Sequence, residues 1–212
     1  GAVGHANVAV THFPCGTGND FIKMFGEEKE RFFDLAELVR GEVRPLDVME
    51  CCGRYAINIC SVGIDARIGT EVHQYHDSYV LSAVANLFKG IAQPLTVRGC
   101  GMEYSGGTSL ICACNGRFYG GGMMPTPGQN RLSPDGTVST MVMFGAGKLR
   151  TLMVFPSIFK GEHIRHKEMV AILTGHTISV EFDRPTPIQI DGETILGVSG
   201  YSVTGACELV GA

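Results

Sequence analysis

Val170-Ala-Ile-Leu-Thr-Gly-His-Thr-Ile-Ser-Val-Glu-Phe182 holds two short β-rich runs divided by a glycine turn, and the same rhythm fills much of the chain. Apolar runs at 95–98, 108–114, 137–144, 170–173, 177–182, 188–190 and 199–210 alternate with Gly, Pro and Asp turns. Short strands broken by turn residues describe an antiparallel sandwich or barrel. Upstream, 43–49 and 55–62 read as a hairpin around Cys52-Gly53-Arg54. Residues 69–92 form the only long helical pattern, with Val80, Leu81, Val84, Leu87 and Phe88 near a 3.6-residue period and Pro94 as its end. The opening differs in kind. Ala6 to Phe13 reads as a buried strand stopped by Pro14; a glycine turn and a short helix follow, with Asn19 and Asp20 at its cap and Gly26 as its stop. Phe32, Phe33, Leu35, Leu38 and Val39 suit one face of a second short helix ending near Gly41.

Composition narrows the function classes. Of 212 residues, 44% are hydrophobic and 18% charged, a globular balance that excludes disorder and collagen-like repetition. Seventeen basic against 21 acidic residues give a net charge of −4 without any long block of one sign, so no nucleic-acid partner is expected. The longest largely apolar stretch, 79–94, contains Lys89 and falls short of the roughly 20 residues of a membrane span. The eight cysteines lack paired C-x-x-C spacing and read as reduced, mostly buried thiols of a cytoplasmic protein. Gly1 in place of an initiator methionine reads as the start of a piece cut from something longer.

Five motifs can carry chemistry, and four of them have a bland counterpart. Pro14-Cys-Gly-Thr-Gly-Asn-Asp20 lies between strand and helix, where glycines let backbone N–H groups approach a phosphate; a capped helix after a tight turn fits equally well. Gly63-Ile-Asp-Ala66 places an aspartate at a strand end. Asn115-Gly-Arg-Phe-Tyr-Gly-Gly-Gly-Met123 is a glycine loop against a neighbour or ligand, or a β-bulge. Leu132-Ser-Pro-Asp-Gly-Thr137 can hold a hard cation or make a surface turn. Ile190-Asp-Gly-Glu193 sets two carboxylates around a glycine, suited to proton transfer or to a hairpin turn. His73 with His76, and His163 with His166, read as exposed helix polarity, and Cys112 with Cys114 as buried strand residues.

In this order and spacing, Pro14-x-Gly-Thr-Gly-Asn-Asp20, Gly63-Ile-Asp-Ala66, Asn115-Gly-x-x-Tyr-Gly-Gly-Gly-Met123, Pro134-Asp-Gly136 and Asp191-Gly-Glu193 together resemble the diacylglycerol kinase catalytic family, which includes bacterial soluble lipid kinases and sphingosine kinases. The resemblance implies an α+β fold: a remnant of an α/β nucleotide-binding domain over 1–42, then a larger antiparallel β-sandwich domain over 43–212. It implies ATP and Mg²⁺ as cofactors, a lipid alcohol as substrate, and peripheral contact with a membrane surface, and it leaves a homodimer open. Asp191 resembles the general base and Glu193 its supporting neighbour; Asn19, Asp20 and Asp65 resemble the nucleotide and magnesium network, with Gly16, Thr17 and Gly18 giving backbone access to phosphates. Asp135, with the main-chain oxygens of Leu132 and Thr137, resembles a second magnesium site. The family's Gly-Gly-Asp-Gly-Thr phosphate loop is not found in the sequence, so the chain is expected to be the family's C-terminal portion and inactive alone. An NAD kinase-like phosphotransferase and a non-enzymatic lipid-binding module are the other readings.

Overall fold

The computed structural model describes residues 9–16, 18–63, 93–99, 101–132, 135–144 and 147–206. Among the described residues nine strands, β1 (Val48–Cys51), β2 (Arg54–Ala56), β3 (Ile59–Gly63), β4 (Gln93–Gly99), β5 (Met102–Cys114), β6 (Val138–Phe144), β7 (Val170–Gly175), β8 (Thr177–Ile190) and β9 (Glu193–Ala206), form one antiparallel sheet. Its order is β2-β1-β9-β8-β3-β5-β6-β7, with β4 between β5 and β8. The sheet wraps around its own core as a sandwich: β6 packs across the interior against β8 and β9.

The central strands read as unbroken apolar runs because both of their faces are covered. Cys60, Val62, Ile111, Ala113, Val138 and Val142 point into the core shared by the two layers. The alternating positions Ile59, Leu110, Cys112, Cys114, Met141 and Met143 face the other way, under Val154, Phe155 and Ile158. Those three belong to α2 (Lys148–Val154) and to the 3-10 turn Phe155–Lys160 that continues it. Each such side chain contributes roughly 1.5–3 kcal/mol when fully buried, so the helical cover is part of the fold.

Two strands share one line. Gly63, the last residue of β3, lies opposite Leu110, and Gln93, the first of β4, lies opposite Thr108 two places further along β5. On the other side, β8 pairs Val62 with Ile188 and Leu95 with Phe182. The chain therefore leaves a strand position at 63 and rejoins the same line at 93. Departure depends on glycine: Gly63 has φ 99°, and a Cβ there would overlap the Ser109 carbonyl oxygen.

Several sequence expectations are corrected by the structure. The described part of the 6–13 run pairs with no strand among the described residues, and Val10 is 70% exposed. Asn19 and Asp20 do not cap the first helix, a 3-10 stretch Ile22–Phe33 that starts without a side-chain cap and kinks at Gly26, where φ is 59°. Gly26 does stop the first turn, as expected. α1 (Leu35–Arg40) is shorter than its apolar spacing suggests, because Asp34 caps it, accepting from Ala36 N and Glu37 N. None of its residues is buried. The hairpin turn at Cys52-Gly53 is right, but its second arm breaks at Ile57-Asn58, so β2 pairs with β1 while β3 crosses to β5 and β8. The runs at 177–182 and 188–190 are one strand, β8, whose register shifts between Glu181 and Ile188. Pro185 and Pro187 fall there and have no N–H to give a ladder. Pro94 sits inside β4, while the 69–92 helix, His73 and His76 lie outside the described residues. His163 is fully buried, with Nε2 at 2.9 Å from the Pro125 carbonyl, and burial pushes its pKa down; it is not exposed helix polarity.

Gly63→Ala should cost about 2 kcal/mol or more, since it combines a left-handed backbone with a steric overlap. Urea denaturation checks this, and unchanged stability would mean that the strand line does not need to break there.

Candidate active site

Asp191 and Gly192 form the two-residue turn between β8 and β9, with φ of 44° and 96°. Asp-Gly suits a turn that needs positive φ at both places. The residue is exposed at the turn, yet its carboxyl folds back beneath the Ile57–Ile59 backbone and accepts three N–H groups: Ile57 at 2.5 Å, Asn58 at 3.0 Å and Ile59 at 2.8 Å. Burial raises the Asp191 pKa above the ordinary carboxylate value, against the opposing pull of those amides and of Arg131.

The carbonyl side of the same segment is held by Arg131 and Asn115. Arg131 Nη1 donates to the Ile57 carbonyl at 2.8 Å and Nη2 to Asn58 Oδ1; Asn115 Nδ2 donates to the Ile57 carbonyl at 3.0 Å and to the Asp47 carbonyl. Arg131 is fully buried, lying 4.9 Å over the Phe21 ring with Nε 2.9 Å from the Met24 sulfur. Among the described residues no carboxylate comes within ion-pair distance of it, and burial lowers its pKa to about 10, with Asp191 the foremost opposing charge. Gly116 leaves the space: a Cβ there would overlap Arg131 Nη2.

Asp20 joins two motifs distant in sequence. Its Oδ2 accepts from Gly121 N at 2.8 Å and its Oδ1 lies 2.6 Å from Lys23 Nζ. Gly120, Gly121 and Gly122 have φ of 58°, 85° and 118°, a path favoured by residues without Cβ, and Met123 N closes the turn on the Tyr119 carbonyl at 2.9 Å. Gly18 packs beside Gly121, and Asn19 Oδ1 accepts from Gly16 N at 3.0 Å. The result is a cleft of about 160 Å³ lined by Asp20, Asn58, Ile59, Tyr119, Gln189 and Asp191. Two of the expected acidic residues thus border one cleft.

The other candidates fall elsewhere. Glu193 turns to Arg54, 2.5 Å away, and is 76% exposed; Asp191 takes its support from amides and Arg131 instead. Thr17 and Asp65 lie outside the described residues. Asp135 Oδ1 accepts from Thr137 N at 2.9 Å and from Thr137 Oγ1 at 2.6 Å, which holds its pKa below the usual value. The Thr137 carbonyl accepts from Gln129 Nε2, Leu132 N donates to Asn130 Oδ1, and the Asp47 carboxylate accepts from the Asp135 and Gly136 amides. A carboxylate is an oxygen donor of the hard kind that Mg²⁺ takes with several waters. Among the described residues no group of three His, Cys, Asp or Glu gathers as a metal cluster. Lys23, Asp47, Asn58 and Arg131 were not singled out from sequence. Lys23, three residues from Asp20, carried a spacing signal; a lone arginine at 131 carried none.

A model of the YegS C-terminal NAD kinase beta sandwich-like domain family matches residues 58–205. The chain belongs to that family. Among relatives of this YegS-type domain, a protein of Staphylococcus carnosus (strain TM300) named as a candidate lipid kinase is 27% identical over 191 residues, covering 85% of this chain and 60% of the relative. A similarly named Staphylococcus aureus (strain MRSA252) protein is 27% identical over 198 residues, covering 84% and 64%. The chain thus spans about 60% of the length of the curated relatives it matches. Two structures described as candidate diacylglycerol kinases from Bacillus anthracis str. Sterne share the fold: one at TM-score 0.68 and 20% identity, covering 93% of this chain and 66% of that one, the other at 0.67 and 21%, covering 92% and 64%. The β-sandwich expected from sequence is this family's C-terminal domain, and the resemblance to diacylglycerol kinases holds.

Gly116→Ala should destabilise the YegS-type domain by about 3 kcal/mol, at the upper end of overpacking costs, because the guanidinium must leave its site. Gly128→Ala, with open space around its Cβ, should stay within about 0.5 kcal/mol. Paired chemical denaturation curves decide it; equal effects would show that Arg131 is not confined.

Proposed function

We propose that this domain forms part of an ATP-dependent lipid kinase that phosphorylates the hydroxyl of diacylglycerol or a related lipid alcohol. One observation carries the reading: Asp20 and Asp191, from opposite ends of the chain, line one cleft, and Asp191's carboxyl is fixed in orientation by three backbone amides. The names of the relatives support it.

Phosphoryl transfer needs positioning, charge neutralisation and a base near the attacking oxygen. Asp191 takes the acceptor hydroxyl's proton. Its raised pKa makes it a better base than a solvent-exposed aspartate, and the three amides keep the carboxyl from rotating away. Asp20 and Asp65 would hold the magnesium of the bound nucleotide, and Asp135 with the main-chain oxygens of Leu132 and Thr137 would hold a second ion that braces the turn; bound Mg²⁺ neutralises charge developing on the phosphates. Lys23 sets a cation beside Asp20 at the cleft's rim, and the glycine turns let phosphate oxygens approach the backbone. Membrane contact would be peripheral: no helix among the described residues is long and apolar enough to cross a bilayer.

In the intact protein, Asp191→Asn should lower turnover roughly 10²–10⁴-fold, the usual contribution of a positioned base, while ATP affinity stays nearly unchanged. Labelled-phosphate transfer to a panel of diacylglycerol, ceramide, sphingoid base and NAD measures both points. Transfer to NAD instead of lipid would select the nucleotide-kinase reading, lipid binding without any transfer would select a binding module, and unaltered turnover of the variant would remove Asp191 from the role. A second expectation concerns pH. The base must be ionised, so kcat should fall with acidification along a limb centred above about pH 4, the ordinary aspartate value; a limb at or below that value contradicts the raised pKa.

A further inference from the structure

Three thiols meet where the first hairpin enters the core. Cys51 ends β1, Cys60 is the second residue of β3, and their sulfurs lie 3.2 Å apart, both fully buried. Cys52 Sγ is 3.9 Å from Cys51 Sγ on the exposed turn. β1 and β3 are not neighbours in the sheet, since β9 and β8 stand between them in its order, so the Cys51–Cys60 contact closes across the sandwich. The turn that presents it is strained: Cys52 has φ 53° where Asn, Asp or Gly is the usual occupant.

We propose that Cys51 and Cys60 are a reversible thiol-oxidation site that takes a small peroxide and forms a cross-layer disulfide. The hydrogen bond from Cys60 lowers the Cys51 pKa and favours its thiolate, whereas the Cys60 thiol is pushed up by that same bond and by burial. The Cys51 thiolate attacks one peroxide oxygen, the O–O bond breaks, and the sulfur becomes a sulfenic acid while hydroxide leaves. Cys60 then attacks the Cys51 sulfur, forming the S–S bond and releasing water; two thiols and one peroxide give one disulfide and two waters. Access comes from the position of the hairpin: β2, only three residues long, is the outermost strand, so Cys51 lies under an edge whose local opening is cheap. Cys52, its thiol pKa raised to about 11 by burial and by Cys51, is a poor nucleophile and stays outside the reaction.

The test treats the reduced, intact protein at neutral pH with hydrogen peroxide at near-equimolar dose, followed by unfolding, alkylation and peptide mass spectrometry. A linked pair containing Cys51 and Cys60, two hydrogens lighter and released by dithiothreitol, is the expected product. Cys52→Ser, a change on the exposed turn that spares the core, should leave that product intact, whereas Cys51→Ala or Cys60→Ala should abolish it. Linkage through Cys52 overturns the proposal. So does oxidation confined to the exposed Cys15 and Cys52, with Cys51 and Cys60 still fully alkylated after unfolding.

Discussion

A single peptide segment, Ile57–Ile59, is gripped from both sides, and the site is assembled around it. Its N–H groups point to the Asp191 carboxylate and the Ile57 carbonyl points to the Arg131 guanidinium and Asn115. An anion on the donor side and a cation on the acceptor side align with the peptide dipoles, so two charges that do not touch still stabilise one another through the backbone between them. This explains how a fully buried arginine persists without a carboxylate of the described residues in contact. It also explains why β2 and β3 are separate strands: the chain between them is committed to side chains and not to a ladder.

The grip extends to the N-terminal segment. Arg131 packs on Phe21 and Met24, and Asp20 binds the glycine turn that follows Tyr119. Residues 18–25 therefore meet the β-domain through one buried cation and one carboxylate–amide bond, with little apolar burial of their own beyond Ile22. Polar contacts of this kind set orientation sharply, because each loses most of its value when donor and acceptor drift apart.

Much of this was legible in the sequence, for identifiable reasons. β5, β6 and β7 announced themselves because short β-rich apolar runs bounded by turn residues are local signals. Asp191-Gly192 was readable both as a hairpin turn and as a catalytic motif, and it is the turn that places the carboxyl. Apart from the helix face read at His163 and His166, the helical cover 148–165 went unseen: its pieces are short, partly 3-10, and stabilised by packing on Met141, Met143 and Met169 more than by any capping signal. Glu193 looked like a partner for Asp191, but Asp191 lies in the hairpin turn with positive φ while Glu193 opens β9 and pairs with Arg54. Arg131 could not be found at all, because its role exists only through residues brought near it from positions 21, 24, 57, 58 and 116.

The shared line of β3 and β4 has an evolutionary side. Because the chain leaves at Gly63 and resumes at Gln93 two places along the same neighbour, the ladder on either flank is blind to how many residues lie between. Closing a longer excursion costs only about 0.6 kcal/mol per doubling of its length. Apart from Asp65, which the proposed chemistry uses, the length of that connection can thus change at little cost to the sheet, which turns one gap in a strand into a socket for diversification.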